Sequence, residues 1–431
     1  DAFVAPLFWL AVGGPAGLGF YILALSWMPD VVHYLAFVFW LVFALWTALH
    51  AALMRGLWGL LQGKTGLTWR RALLWAAAAG LTWAGLEYFR SEVWALRCPW
   101  LVLGYSQTYN PAIFQSLSVW GVYGLSAFIV SANAAWALIQ RRRLTLAPAA
   151  LAALGLAAVC AWGAYRLDTG LAEEGRPVKV ALVQAERSDI NELAGLSLQR
   201  EAASADLLVW PECSVMMPAE QQPSYVSLLS RKLKRSRAEA VIGVCVNEDR
   251  QRGIKRGNYT LILGRDKKVA GLYHKMHPVQ FVETGLPSNK DPRPVVTPLG
   301  RLGPQICYDL AFEDGSRKMA EKGAELLITP TLDPIEWSLL QHEQHSDMSA
   351  ARAVETGLWI VRAASSGESQ VIDSFGRLRA SLPGGEKGVL TAEARLDSGG
   401  TFYTGFGWLF APLAFLFTLA AAALVIAGKV R

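Results

Sequence analysis

Three side chains stand where acyl-transfer chemistry would need them. Glu212 follows the apolar run "LLVWP", Lys275 lies in "GLYHKMHPVQFVE" after a strand-like run, and Cys307 ends "RLGPQI". All three fall at carboxyl ends of predicted strands, where open α/β folds place their ligands. A carboxylate can take a thiol proton while the sulfur attacks a carbonyl carbon. A lysine ammonium can stabilise the oxyanion that forms, and it also favours thiolate over thiol. Each residue has a plainer reading when taken alone. A lone strand cysteine is commonly a small buried apolar residue, and the other two could be loop or surface charges. Cys245 in "VIGVCV" and Cys160 among alanines fit that plainer reading, while Cys213 has no flanking pattern of its own.

The elements that would position these groups are strands alternating with helices. Strands are predicted at 178–184, 206–212, 240–246, 259–264, 301–309, 325–330 and 358–365, and helices at 191–203, 220–236, 314–322 and 343–356. Such alternation over roughly 220 residues indicates one α/β domain. In that reading Pro211 stops its strand and delivers Glu212 to the strand end.

The rest of the chain is of another kind. Of 431 residues 53% are hydrophobic and 18% charged, below the roughly 25% charged usual for a soluble domain. Apolar runs near the ~20 residues needed to span a bilayer lie at about 3–28, 33–54, 72–88, 117–139, 145–164 and 406–428. Basic clusters follow the second, fourth and sixth of these runs: Arg55, Lys64, Arg70 and Arg71; Arg141, Arg142 and Arg143; Lys429 and Arg431. Placing all three clusters in the cytoplasm makes the helices alternate without contradiction. The N-terminus is then inside, and 165–405 lies on the far side, which in a bacterium is the periplasm. Glu87 is the one charge within a span, near its end, which argues against a transporter.

Other chemistries are disfavoured. The five cysteines form no CxxC pair, and their odd number argues against a fully paired disulfide framework. His342 and His345 in "QHEQHSD" are three apart, whereas a zinc helix of the H-E-x-x-H type needs four. Net charge is +6 without a basic stripe interleaved with aromatics, so nucleic acid is not an expected partner.

The combination of "LLVWPE", "YHKMHPVQFVE" and "QICYD" resembles the glutamate–lysine–cysteine pattern of the nitrilase, or carbon–nitrogen hydrolase, superfamily. Within it the chain resembles the bacterial apolipoprotein N-acyltransferase family. "WAGLEYFRSEV", "CPWLVLGYSQ" and "FQSLSVWGVYGLSAFIVSANA" look like that family's segment between its middle helices. "QHSDMSAARAVETGLWIVRAASSGESQVIDSFGRL" and "TFYTGFGW" are similar to its later regions. The resemblance implies a multi-pass α-helical membrane domain plus an α/β nitrilase-like domain, an α-β-β-α sandwich. The expected division is 1–165 as about five transmembrane helices, 166–405 as the catalytic domain and 406–431 as a last transmembrane helix.

The activity implied is transfer of an acyl chain from a phospholipid, through a thioester on Cys307, to the N-terminal amine of a diacylglyceryl-cysteine apolipoprotein. Glu212 is carried over as general base, Lys275 as oxyanion stabiliser and Cys307 as nucleophile. Glu283 matches a second family glutamate that supports the site, and Tyr308 follows the nucleophile with a backbone N–H that could serve the oxyanion. No metal or soluble cofactor is implied, and a monomer in the bacterial inner membrane, catalytic domain in the periplasm, is expected. Apolar residues of "SVMMP" and "PIEWSLL" could line a funnel that limits hydrolysis, with Trp337, Leu339 and Leu340 as a lid or as core. Trp94, Trp100 and Tyr105 carry a similar pair of readings.

The chain departs from the family in three places. Asp309 stands where the family has glutamate, which makes it a supporting residue with a shorter reach. Val282 replaces the glycine of a Pro-Phe-Gly-Glu turn, implying an altered backbone. Two helices that usually begin the family have no counterpart after Asp1, so the chain reads as trimmed or shortened. A membrane-tethered amidase using water as acceptor is the alternative activity, and a non-catalytic lipid- or lipoprotein-binding protein is a third class.

Overall fold

The computed structural model describes residues 4–62, 68–141, 146–169, 174–218, 221–247 and 256–430. The chain divides into two compact units: Asp1–Asp168 with Phe406–Arg431, and Thr169–Gly405.

The first unit is helical. Helices Val4–Ala24, Leu35–Gln62, Trp69–Tyr88, Leu117–Gln140, Leu146–Asp168 and Phe410–Val430 coincide with the six predicted spans. Among the described residues, Leu35–Gln62, Leu117–Gln140 and Gly407–Gly428 are long and apolar enough to cross a membrane. Pro15 is accommodated within the first helix. Lys64, Arg142, Arg143 and Arg431, on which the charge argument partly rests, lie outside the described residues.

Small residues let these helices approach closely, as packing between apolar helices requires. A side chain at Gly85 would meet the Ala414 carbonyl oxygen at 2.5 Å, so helix Trp69–Tyr88 needs glycine to lie against Phe410–Val430. Between the helices, Glu87 Oε1 accepts from the Leu103 N–H at 2.8 Å, and Arg90 donates to the Trp100 carbonyl at 2.9 Å. Trp100 is buried and packs edge-on against Trp27, while Trp94 meets Trp46. Trp100 thus serves packing within the unit.

The second unit has two sheets. One runs in spatial order Gly388–Leu396, Arg176–Gln184, Leu207–Val209, Glu239–Asn247, Gly257–Leu263, Val269–His274, with Val215–Pro218 also paired to Glu239–Asn247. The other runs Leu378–Leu382, Ser369–Ile372, Ile360–Ala364, Leu326–Thr331, Arg301–Pro304, Val295–Val296. Their centres are parallel and their edges antiparallel.

Alternation along the strands builds the layers. Val178, Val180 and Leu182 point with Val209, Val241 and Ile262 to the inner face, where Leu302, Ile328 and Val361 meet them. Ala181 and Val183, with Leu208, Ile242 and Val244, face outward onto Leu193 and Leu229 of helices Ile190–Ser197 and Gln222–Lys232 and onto Leu233 just beyond the second. Central strands buried on both faces read in sequence as continuous apolar runs. Helices Glu313–Glu321 and Leu339–Thr356 pack on the second sheet, completing an α-β-β-α sandwich.

Two expectations are corrected. The strand predicted over 301–309 ends at Pro304, and Cys307–Ala311 forms a single 3₁₀ turn. Cys245, read as an apolar core residue, forms a disulfide with Cys213, their Cα atoms 4.8 Å apart, within the range such bridges require. Cys98, Cys160 and Cys307 are free.

Candidate active site

Glu212 is delivered by the loop after Leu207–Val209. Gly243 in the neighbouring strand makes that possible, because a Cβ there would lie 2.5 Å from the Glu212 Cα. Lys275 follows Val269–His274 directly, and its N–H donates to the Asn258 carbonyl at 3.0 Å. Cys307 opens the turn beyond Arg301–Pro304. The three sequence-selected residues are all buried: Glu212 is 3% exposed, Lys275 2% and Cys307 5%.

Lys275 Nζ lies between two carboxylates, 2.8 Å from Glu212 Oε1 and 2.7 Å from Glu283 Oε2. Glu283 is fixed in turn by the Val279 N–H, which donates to Oε2 at 2.7 Å. The substituted turn still delivers this carboxylate. Its left-handed residue is Phe281, φ 67°, next to Val282, and the Glu283 N–H closes the turn onto the Val279 carbonyl at 2.8 Å.

Two positioning groups were not foreseen from the sequence. Asn258 Nδ2 donates to Glu212 Oε1 at 2.6 Å and to Glu283 Oε1 at 2.9 Å, tying the carboxylates together. An amide at the start of the apolar strand "GNYTLIL" was the signal available for it. The main chain of Leu332 links Glu212 and the Cys307 thiol. Its N–H donates to Glu212 Oε2 at 2.9 Å, and its carbonyl faces Cys307 Sγ at 3.8 Å. No side-chain signal marks that residue.

Asp309 answers the question its substitution raised. It is fully buried and accepts from Tyr273 Oη at 2.9 Å and from the backbone N–H groups of Met276 at 2.9 Å, His277 at 2.6 Å and Ile306 at 2.9 Å. One short carboxylate thus fastens the segment after Lys275 to the turn that carries Cys307. Tyr308 is buried and meets Phe312 edge-on.

The electrostatics set the expected pull of Lys275 on the thiol against stronger effects. Burial raises the Cys307 thiol and the Glu212 carboxylate raises it further, against the opposing pull of Lys275, so it titrates well above the ordinary thiol value. The resting sulfur is therefore a thiol. Burial alone would weaken the Lys275 ammonium, but the Glu212 and Glu283 carboxylates hold it well above its usual range. For Glu283 burial is outweighed by Lys275, and the carboxyl lies below its usual range.

A cavity of about 470 Å³ opens beside Glu212, lined by Glu186, Arg187, Asn191, Met216, Tyr225 and Leu332 among others. Met216 is exposed on it while Met217 is core. Of the "PIEWSLL" residues, Leu339 is exposed and Trp337 half-buried. Among the described residues, Cys307, Asp333 and His345 have donor types that could hold a metal ion, but Asp333 already pairs with the Arg362 guanidinium.

Residues 179–402 match the carbon-nitrogen hydrolase family, and residues 5–135 match the apolipoprotein N-acyltransferase N-terminal domain. The apolipoprotein N-acyltransferase of Geobacter metallireducens is 31% identical over 77% of this chain and 70% of its own. That of Azotobacter vinelandii is 30% identical over 93% of this chain and 84% of its own. Among solved structures, a carbon-nitrogen hydrolase from Helicobacter pylori aligns over 56% of this chain and 94% of its own, at 19% identity and a TM-score of 0.44. Matched in its helical part and its sandwich alike, and similar to these relatives along most of its length, the chain belongs to the apolipoprotein N-acyltransferase family.

Proposed function

We propose that the protein moves an acyl chain from a membrane phospholipid to the N-terminal amine of a diacylglyceryl-cysteine apolipoprotein, through a thioester on Cys307. The observation that carries this reading is the buried lysine held between Glu212 and Glu283, with Leu332 joining Glu212 to the Cys307 sulfur.

Because the resting sulfur is a thiol, proton transfer and attack are coupled. Glu212 takes the Sγ proton as sulfur bonds to the ester carbonyl carbon. Lys275, with the Tyr308 N–H, stabilises the oxyanion, a role for which a pre-placed cation in a dry site is well suited. The ester C–O bond then breaks, and Glu212 returns the proton to the departing glycerol oxygen, releasing a lysophospholipid. In the second half the acceptor amine attacks the thioester, Glu212 takes a proton from nitrogen, and the C–S bond breaks. Sulfur regains the proton and an amide remains. Glu283 and Asn258 hold Glu212 and Lys275 in register through both halves, and Asp309 holds the turn.

The basic clusters favour the periplasmic side of the inner membrane for the sandwich, and the disulfide supports this reading, since such bonds persist in oxidising compartments. The division at about 166 and 405, with five helices before the catalytic domain and one after it, belongs to the same reading.

The test is peptide mass spectrometry after incubation with phosphatidylethanolamine of known chains. A hydroxylamine-sensitive acyl mass on the Cys307 peptide, absent in Cys307→Ala and discharged by a diacylglyceryl-cysteine peptide, is the expected result. Intact phospholipid and an unmodified Cys307 would overturn the donor assignment. Free fatty acid in place of acylated peptide would move the protein to the amidase alternative.

A further inference from the structure

A second buried ionic group adjoins Cys307 and has no part in the steps above. Asp333 and Arg362 are fully buried and His345 is 2% exposed. His345 Nδ1 lies 2.9 Å from Asp333 Oδ1, and Arg362 Nη2 pairs with Asp333 Oδ2. Asp333 is anchored by Ser365, whose Oγ accepts the Asp333 N–H at 3.1 Å and donates to its carbonyl at 3.1 Å. The far ring nitrogen of His345, Nε2, faces the carbonyl oxygen of Cys307 at 3.4 Å. A ring nitrogen, an Asp333 oxygen and Cys307 Sγ all lie within 4.8 Å of one another.

Cys307 gives this contact its meaning. Its φ of 47° is left-handed, a conformation that is strained for a non-glycine residue and persists only where the surroundings over-determine it. Asp309 clasps the turn on its far side, through the Ile306 N–H. The peptide that leaves Cys307 needs a partner too, and His345 is the side chain aimed at its carbonyl. Burial alone would raise the Asp333 carboxyl, but Arg362 and then His345 hold it well below the usual range. As an ionised acceptor it takes a hydrogen bond from Nδ1–H, and the ring, protonated on both nitrogens between these two acceptors, donates Nε2–H to the Cys307 carbonyl.

We propose that His345, oriented by the Asp333–Arg362 pair, is a positioning residue that holds the backbone of Cys307 left-handed and so aims its sulfur for acylation. The inference rests on Cys307 being the nucleophile.

Two substitutions separate the ring's two contacts. His345→Gln keeps an amide N–H near the position of Nε2, and His345→Asn keeps one near Nδ1. The rate of Cys307 acylation by phosphatidylethanolamine is measured by mass spectrometry across donor concentrations, with thermal unfolding as a check on folding. His345→Asn is expected to slow the maximal rate on the order of 10²-fold, as a misaimed nucleophile does, with half-saturation unchanged. His345→Gln is expected to stay within about tenfold of the parent. Equal rates in the two variants, or a wild-type rate in His345→Asn, would overturn the proposal. If the parent protein itself forms no Cys307 adduct, the nucleophile assignment fails and this inference falls with it. A reading that needs no variant is ¹⁵N-histidine NMR before and after alkylation of Cys307. One of the six histidine ring signals should shift, and no shift in any of them would count against the contact.

Discussion

At the scale of single residues, the site holds opposite charges tightly and leaves the sulfur protonated. Glu212 has two effects on Cys307: it is the proposed base, and its charge helps keep the thiol from ionising. These effects separate in Glu212→Gln. Turnover should fall by at least about 10³-fold, in the range lost when a catalytic proton acceptor is removed. Iodoacetamide should nonetheless alkylate Cys307 faster at pH 8 than in the parent, because one of the charges raising its pKa is gone. Slower alkylation in the variant would refute this account of the thiol. In the unsubstituted protein the alkylation rate should keep rising through pH 9 without a plateau, since the thiol titrates well above its ordinary value. Asn258 makes a second prediction. Asn258→Leu removes the donor shared by Glu212 and Glu283, leaving two buried carboxylates on one ammonium. Acylation should slow by about 10–100-fold, or about 1.4–2.7 kcal/mol of barrier, as single-turnover mass spectrometry would show. The sequence revealed the residues with distinctive chemistry at strand ends, Glu212, Lys275 and Cys307. It could not reveal Leu332, whose contribution is made by its main chain and places no demand on its side chain.

At the scale of elements, what could be read depended on how strongly burial imprinted the sequence. The central strands, buried on both faces, were visible as apolar runs, and Arg176–Gln184 and Glu239–Asn247 differ from prediction by a residue or two at their ends. The antiparallel strands Leu378–Leu382 and Gly388–Leu396 were not foreseen, because they are half-exposed and carry charges such as Glu393 and Arg395. The turn at Cys307 was hidden for a different reason: Asp309 within it accepts hydrogen bonds from Met276 and His277, far back in the chain, and no local propensity announces them or the left-handed backbone of Cys307. Gly243→Ala tests how closely the loop bearing Glu212 must approach its strand. Acylation should fall on the order of 10²-fold while the disulfide and the fold remain. Helix Leu339–Thr356 offers a pH test. Burial, then Glu343 and Glu368, raise the Asp347 carboxyl to about 6. A raised folded pKa means that stability present below about pH 4, the unfolded value, is lost as pH rises towards 6. The penalty is complete above that. Asp347→Asn should therefore raise the melting temperature by a few degrees at pH 8 and by little at pH 4, measured by calorimetry.

At the scale of the whole molecule, the covalent framework makes a prediction about compartment. Three of the five cysteines are free. Denatured without reductant, protein from the cell envelope should take up three maleimide–polyethylene glycol labels, and after reduction five. Uptake of five without reduction would contradict both the disulfide and the oxidising location proposed for the sandwich. The two-unit division has a further consequence, which concerns the order of synthesis. The helical unit is discontinuous: its last helix, Phe410–Val430, is separated from the others by all of Thr169–Gly405. That helix lies against Trp69–Tyr88, at a surface that Gly85 keeps open for it. A ribosome therefore finishes the entire sandwich before the partner of that surface emerges, and until then the early helices face lipid with a groove shaped for a segment not yet made. The helical unit is completed only after the sandwich has been made, so a chain stalled or cut after residue 405 would carry an intact sandwich and an unfinished bundle.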